Sequence, residues 1–310
     1  EGLVEIQETG FYWDLPYKGE THTILYKTFV PFVKCDTKEA DLLCGKYQNR
    51  VSAQQICRYC HCKTEEADDY LHKPKPKTKK EIRKLVKDQN LDGLKKISQH
   101  YLLNAFWKVR FSAGVLAGIH GSCPSEMLHA LLLGIFKYTR EIFFDTIGKD
   151  GAGGKDMNAL AQLYCDHYRR QSDRTRPPTN FSKGIQAGKM MAKEYRGILL
   201  VLLSVIRSTF GTEVMKRRKK TRKDSWRKDW IMLVETLLEW EAFLNESWMS
   251  RAILERMKKK HRFIMYLMRK IANRTEGMGL KLMKFHAILH AVEDIINFGV
   301  PTEFDTGANE

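Results

Sequence analysis

Apolar and polar positions follow two different rhythms along the chain, and the change falls near residue 125. Before it, short runs dense in aromatic and β-branched residues predict strands: Phe11-Tyr-Trp-Asp14, then His22 to Lys34, separated by a turn region at Pro16 and Gly19. The second run ends at Cys35-Asp36, where Thr37, Glu39, Leu42 and Leu43 begin a helical spacing. Asp36 is therefore expected at the C-terminal end of a strand, where α/β folds place their chemistry. Phe106 to Phe111 and Val115 to Ile119 offer a further short strand. After residue 125 the pattern is helical. Ser125 is expected to cap a helix whose stripe is Leu128, Leu131, Leu132, Ile135 and Phe136. Trp226, Trp230, Leu233, Leu237, Trp240 and Leu244 recur at three- and four-residue steps, and such a stripe predicts core packing. Loops are expected at 149–154 and 173–184, and no internal repeat is visible.

Composition adds a partner class. Lys and Arg outnumber Asp and Glu by 53 to 37, and a net charge of +16 favours a polyanion, most commonly nucleic acid. Seven cysteines, five of them within residues 35–62, suit metal ligation in a reducing compartment better than a disulfide framework. The longest apolar run, Ile198 to Ile206, is too short to span a bilayer, so no membrane partner is expected. The Lys/Pro-rich stretch from His72 to Lys80 is expected to be a solvated linker. A start at Glu1 rather than Met suggests a piece of a longer protein.

Two half-sites for a metal stand far apart. Cys57-Arg-Tyr-Cys60 is a C-x2-C pair, and His286 and His290 share one face of a helical pattern. Two thiolates and two imidazoles form the closed tetrahedral set that structural zinc prefers. Position argues for joining them: 21 residues separate Asp36 from Cys57, and 20 separate His290 from Glu310. If both acids meet at one centre, a zinc across the halves closes the long loop between them. Cys44, Cys62 and His72 are spare ligands, and a wholly local site built from them is the alternative.

Taken in order, these motifs resemble the RNase H-like transposases of the CACTA and Plavaka/Kyakuja–Dileera–Zisupton type, relatives of the V(D)J recombinase catalytic subunit. The resemblance rests on Asp36, Leu43-Cys-Gly45, Cys57-x2-Cys60, Cys123-Pro-Ser-Glu-Met-Leu-His129, His286-x3-His290 and Glu310. It implies a partial α/β RNase H-like core, zinc-clipped and interrupted by a large all-α insertion. The implied layout is a core part at 1–125, the insertion at 126–280, and a return segment with the closing acid at 281–310. Asp36 would match the second acid of a DDE set and Glu310 the closing one. His129 would match a Cys/Asp-x2-His motif, with Glu126 standing where the family has Asp or Cys. The first Asp is expected upstream, which would leave this segment inactive alone. The implied cofactors are structural Zn2+ and catalytic Mg2+ or Mn2+, which drive in-line phosphodiester exchange. The implied partners are transposon terminal repeats and target DNA, in a homo-oligomeric complex in the nucleus.

Lys216, Arg217, Arg218, Lys219, Lys220, Arg222 and Lys223 form the densest basic run. It reads as a nuclear localisation signal, a phosphate-binding patch, or a solvated loop. Besides the transposase, an inactive or domesticated zinc-containing DNA-binding protein and a zinc-finger protein without an RNase H sheet fit parts of the pattern.

Overall fold

A two-residue turn, Lys18-Gly19, sets the first feature of the fold. Both residues have positive φ (52° and 82°), the combination that matches the natural twist of a tight hairpin. In this computed structural model, which describes residues 2–47, 53–111, 117–126, 128–147, 152–170, 192–217, 225–274 and 276–301, the turn joins β1 (Phe11–Tyr17) to β2 (Glu20–Tyr26). The strands pair antiparallel with Tyr17 opposite Glu20 and Phe11 opposite Tyr26. They form the only named sheet among the described residues. Side chains alternate, so Phe11, Trp13, Leu15, Tyr17, Ile24 and Tyr26 share one face. Phe11 stacks on Tyr26 at 5.6 Å, yet both strands are exposed throughout. The pair that closes a two-residue turn is hydrogen-bonded, and the next pair is not. Pro16, opposite Thr21, therefore turns its nitrogen away from β2, where proline's missing N–H costs the ladder nothing.

The helices follow in chain order: α1 (Gly2–Glu8) precedes the hairpin, and α2 (Thr37–Leu43), α3 (Lys79–Lys87) and α4 (Leu91–Lys96) come after it. A π-helix at Leu128–Phe136 runs into α5 (Lys137–Ile147). Then come α6 (Ala152–Arg170), α7 (Ala192–Arg207), α8 (Thr209–Arg217), α9 (Trp226–Leu244), α10 (Arg251–Ile271), α11 (Met283–Ala287) and α12 (Ala291–Phe298). The described chain is thus mostly helical with one small sheet. It divides into two compact units, one of residues 1–67, 72–126 and 293–299, the other of 68–71, 127–292 and 300–310.

In the first unit the expected strand at 22–34 stops at Tyr26. Pro31 removes a donor from the run, and only Val30 makes a bridge, parallel to Phe111. Residues 105–107 form a 3₁₀ turn instead of a strand, because the Asn104 side chain accepts the Phe106 N–H and caps it. The His72–Lys80 stretch is not a solvated linker. Cys60 bridges Pro76, and Lys77 is fully buried. Thr78 then caps α3 through Glu81 N. Cys35, Cys44 and Cys123 join Ile82, Leu94 and Trp107 in the apolar core.

In the second unit the tryptophan stripe of α9 is core, with Trp230, Leu233, Leu237 and Trp240 wholly buried. Asp229–Lys270 (2.8 Å) and Glu239–Lys260 (2.9 Å) pair α9 antiparallel with α10. His261 lies between Trp240 and Phe243, and burial pushes it down to about 3, so it stays neutral. Gly134 is required in the π-helix: a Cβ there would lie 2.4 Å from the His129 carbonyl oxygen. No single described helix is long and apolar enough to cross a membrane, and α7 and α8, which pass that test together, meet at 77°.

Candidate metal centre

The C-x2-C turn is held open by backbone pairing on both sides. Gln55 bridges Lys63, Cys60 bridges Pro76, and the Tyr59 carbonyl accepts Lys77 N–H at 2.8 Å. Between the cysteines the chain reverses so that the Tyr59 N–H donates to Cys57 Sγ at 3.3 Å. That contact stabilises a thiolate and aims it away from the turn.

The histidines arrive on different backbone from that expected. The pattern predicts one helical face, but α11 ends at Ala287. From there Leu289 N–H donates to His286 O and His290 N–H to Ala287 O, both at 3.0 Å, so the chain tightens into three-residue turns. The two rings nonetheless converge, with their Nε2 atoms 3.2 Å apart.

Cys57, Cys60, His286 and His290 offer ligand atoms that all lie within 4.8 Å of one another. A tetrahedral zinc with bonds of ~2.0 Å to nitrogen and ~2.3 Å to sulfur needs ligand separations of roughly 3.3–3.8 Å. The imidazole pair meets the short edge of that tetrahedron. Cys57, Cys60 and His286 are buried and His290 is half-buried. The Cys57 thiol beside it, and then burial, push the Cys60 thiol far above its ordinary value. Two such thiols ionise together only against a cation, and a divalent metal neutralises both. The donor set, its burial and its spacing therefore fit a structural metal. Cys62 and Cys44 are buried outside this group, Cys44 near the Ile119 carbonyl at 3.6 Å, and His72 pairs with Glu66 at 3.2 Å.

Charged residues that the sequence does not single out support the turn. Lys77 donates to Cys57 O (2.9 Å) and Ile97 O (3.1 Å), and burial lowers it to about 8 while the Cys57 thiol pulls the other way. Arg58, also buried, donates to the carbonyls of Cys123 and Pro124 and pairs with Asp41 at 3.5 Å. The Tyr59 hydroxyl donates to Cys123 O at 2.6 Å and lies 3.2 Å from both Ser125 Oγ and Asp294 Oδ2. Ser125 stands ahead of the π-helix that begins at Leu128, and its N–H donates to Asp294 Oδ2 at 2.8 Å. The C-x2-C turn thus grips the start of the Cys123–His129 motif.

Asp36 does not end a strand. It caps α2, with Oδ1 accepting Lys38 N–H (2.7 Å) and Glu39 N–H (2.8 Å). Glu126 is buried just before the π-helix, and His129 is half-buried in its first turn. Lys216 is exposed at the end of α8, which also carries Arg217. Glu310, Arg218, Lys219, Lys220, Arg222 and Lys223 lie outside the described residues. Comparison with protein-family models and with curated proteins finds no match.

Proposed function

We propose that this chain is part of the catalytic core of a DDE-type DNA transposase, with a structural zinc on Cys57, Cys60, His286 and His290. One observation carries the reading. Two half-sites more than 220 residues apart in sequence, and ordered as the resemblance requires, supply a single four-ligand group. The net charge of +16 suits a DNA partner. Asp36 and Glu310 would hold the catalytic Mg2+ or Mn2+, which supplies Lewis acidity to the leaving and attacking oxygens of a phosphodiester. Asp36 suits one bond to such an ion: Oδ1 is taken by the helix cap, while Oδ2 accepts no hydrogen bond among the described residues.

Strand cleavage of labelled transposon-end duplexes by the full-length protein with Mg2+ or Mn2+ tests the reading. Asp36→Asn keeps a capping oxygen and is expected to abolish cleavage while DNA binding persists. Undiminished cleavage by this variant rejects the assignment. The capping role of Asp36 favours a second reading, a zinc-stabilised DNA-binding protein that does not cut. Duplex binding by the unsubstituted full-length protein without metal-dependent nicking selects it.

A further inference from the structure

Natural strand edges are blunted by proline, lysine or a bulge, because an open edge is a template for another strand. β1 carries Pro16, whereas β2, Glu-Thr-His-Thr-Ile-Leu-Tyr, has neither proline nor lysine and pairs with β1 without a bulge. Bonding alternates from the turn, so Thr21, Thr23 and Leu25 turn their N–H and C=O groups away from β1. Among the described residues no backbone group outside the hairpin bonds to them, and every residue of β2 is exposed.

The spacing of this edge selects an occupant. Its outward residues are symmetric about Thr23, so a second β2 laid antiparallel matches all of them at once. Thr23 then faces its own counterpart and Thr21 faces Leu25, each as a hydrogen-bonded pair. Any other register leaves at least one of the three unmatched. On the aromatic face Ile24 meets His22 and Tyr26 meets Glu20, so no like charges stand opposite one another. The two-fold axis of such a pair is perpendicular to the sheet, and both aromatic faces end on the same side. A lone two-stranded hairpin is marginal in water, whereas three or more strands with an apolar face are not, and this pairing makes four.

We infer that two copies of this chain associate through their β2 edges, antiparallel about Thr23, into one continuous four-stranded sheet. The inference stands apart from the transposase reading and from the metal. One edge pair covers less than the roughly 1,200 Å² of a tight interface, so the association is reversible, with a dissociation constant on the order of 10–100 µM.

Sedimentation velocity of the 310-residue protein from about 1 to 200 µM tests it, with monomer expected at the low end and dimer at the high end. Monomer throughout overturns the inference, whatever else covers the edge. Register is read by mild oxidation of Thr23→Cys and Thr21→Cys, with the unsubstituted protein as the blank. The first brings two Cα atoms to about 5.5 Å, within disulfide reach, and the second leaves them roughly 13 Å apart. A covalent dimer at least about fivefold more abundant for Thr23→Cys is expected, and equal yields or none overturn the register. Thr23→Pro spares the β1 ladder, which does not use that N–H, and is expected to weaken association at least about tenfold. Asp14→Pro removes the same Thr23–Asp14 side-chain bond but takes its donor from the other edge, so a loss under about threefold is expected. Equal loss from the two proline variants moves the contact off β2 and overturns the inference.

Discussion

The aromatic hairpin and the cysteine turn are both short chain reversals, and burial runs opposite to hydropathy in them. The hairpin holds Phe11, Trp13, Leu15, Tyr17, Ile24 and Tyr26 on one face, yet Trp13 is 58% exposed. The cysteine turn holds Arg58 and abuts Lys77, yet each of these cations is only 1% exposed. Side-chain chemistry does not decide the matter alone. Charged groups can be buried when partners reach them, and here carbonyls take Arg58 and Lys77 while Asp41 is the ion partner of Arg58. The hairpin pairs only its inner backbone groups, and its aromatic face gains from cover only when another surface arrives.

The sharpest way to break this contrast is to remove the metal ligands. Cys60→Ser, or a strong chelator, is expected to release one equivalent of metal per chain. It should also cost an amount comparable to a domain's whole stability, of the order of 5–15 kcal/mol. Cobalt(II) absorption together with denaturation curves reads both effects, and unchanged stability would show that the thiols are core residues only. A smaller effect is expected from Arg58→Met, which leaves Asp41 with Lys46 alone and costs about 3–5 kcal/mol. Adding Asp41→Asn should recover part of that loss, and strict additivity in a double-mutant cycle would remove the pair from the account. The smallest effect belongs to the hairpin: Trp13→Ser should shift stability by less than about 0.5 kcal/mol. A loss of 2 kcal/mol or more would mean that the aromatic face is covered in solution.

What could be read from the residues follows the same division. The α9 stripe and the joining of Cys57 and Cys60 to His286 and His290 were legible, since helical period and ligand type are local properties. The strand expected to run to Lys34 was not, because Pro31 and the turn at Asp36 weigh more than β propensity there. Nothing in the Lys/Pro run distinguishes Lys77 from Lys73, Lys75 or Lys79; only the tertiary position of two carbonyls selects it. Ser125 gave no sign in the sequence of its bond to Asp294, 169 residues away, because only the fold brings that carboxylate to its N–H.

Pro16 makes the two edges of the hairpin unequal. Outward on β1 lie the N–H and C=O groups of Tyr12 and Asp14 and, at Pro16, a carbonyl without a donor, whereas β2 offers full outward pairs at Thr21, Thr23 and Leu25. A strand added to β1 forfeits one rung of its ladder beside the turn, so edge pairing along this exposed aromatic segment is expected to favour β2.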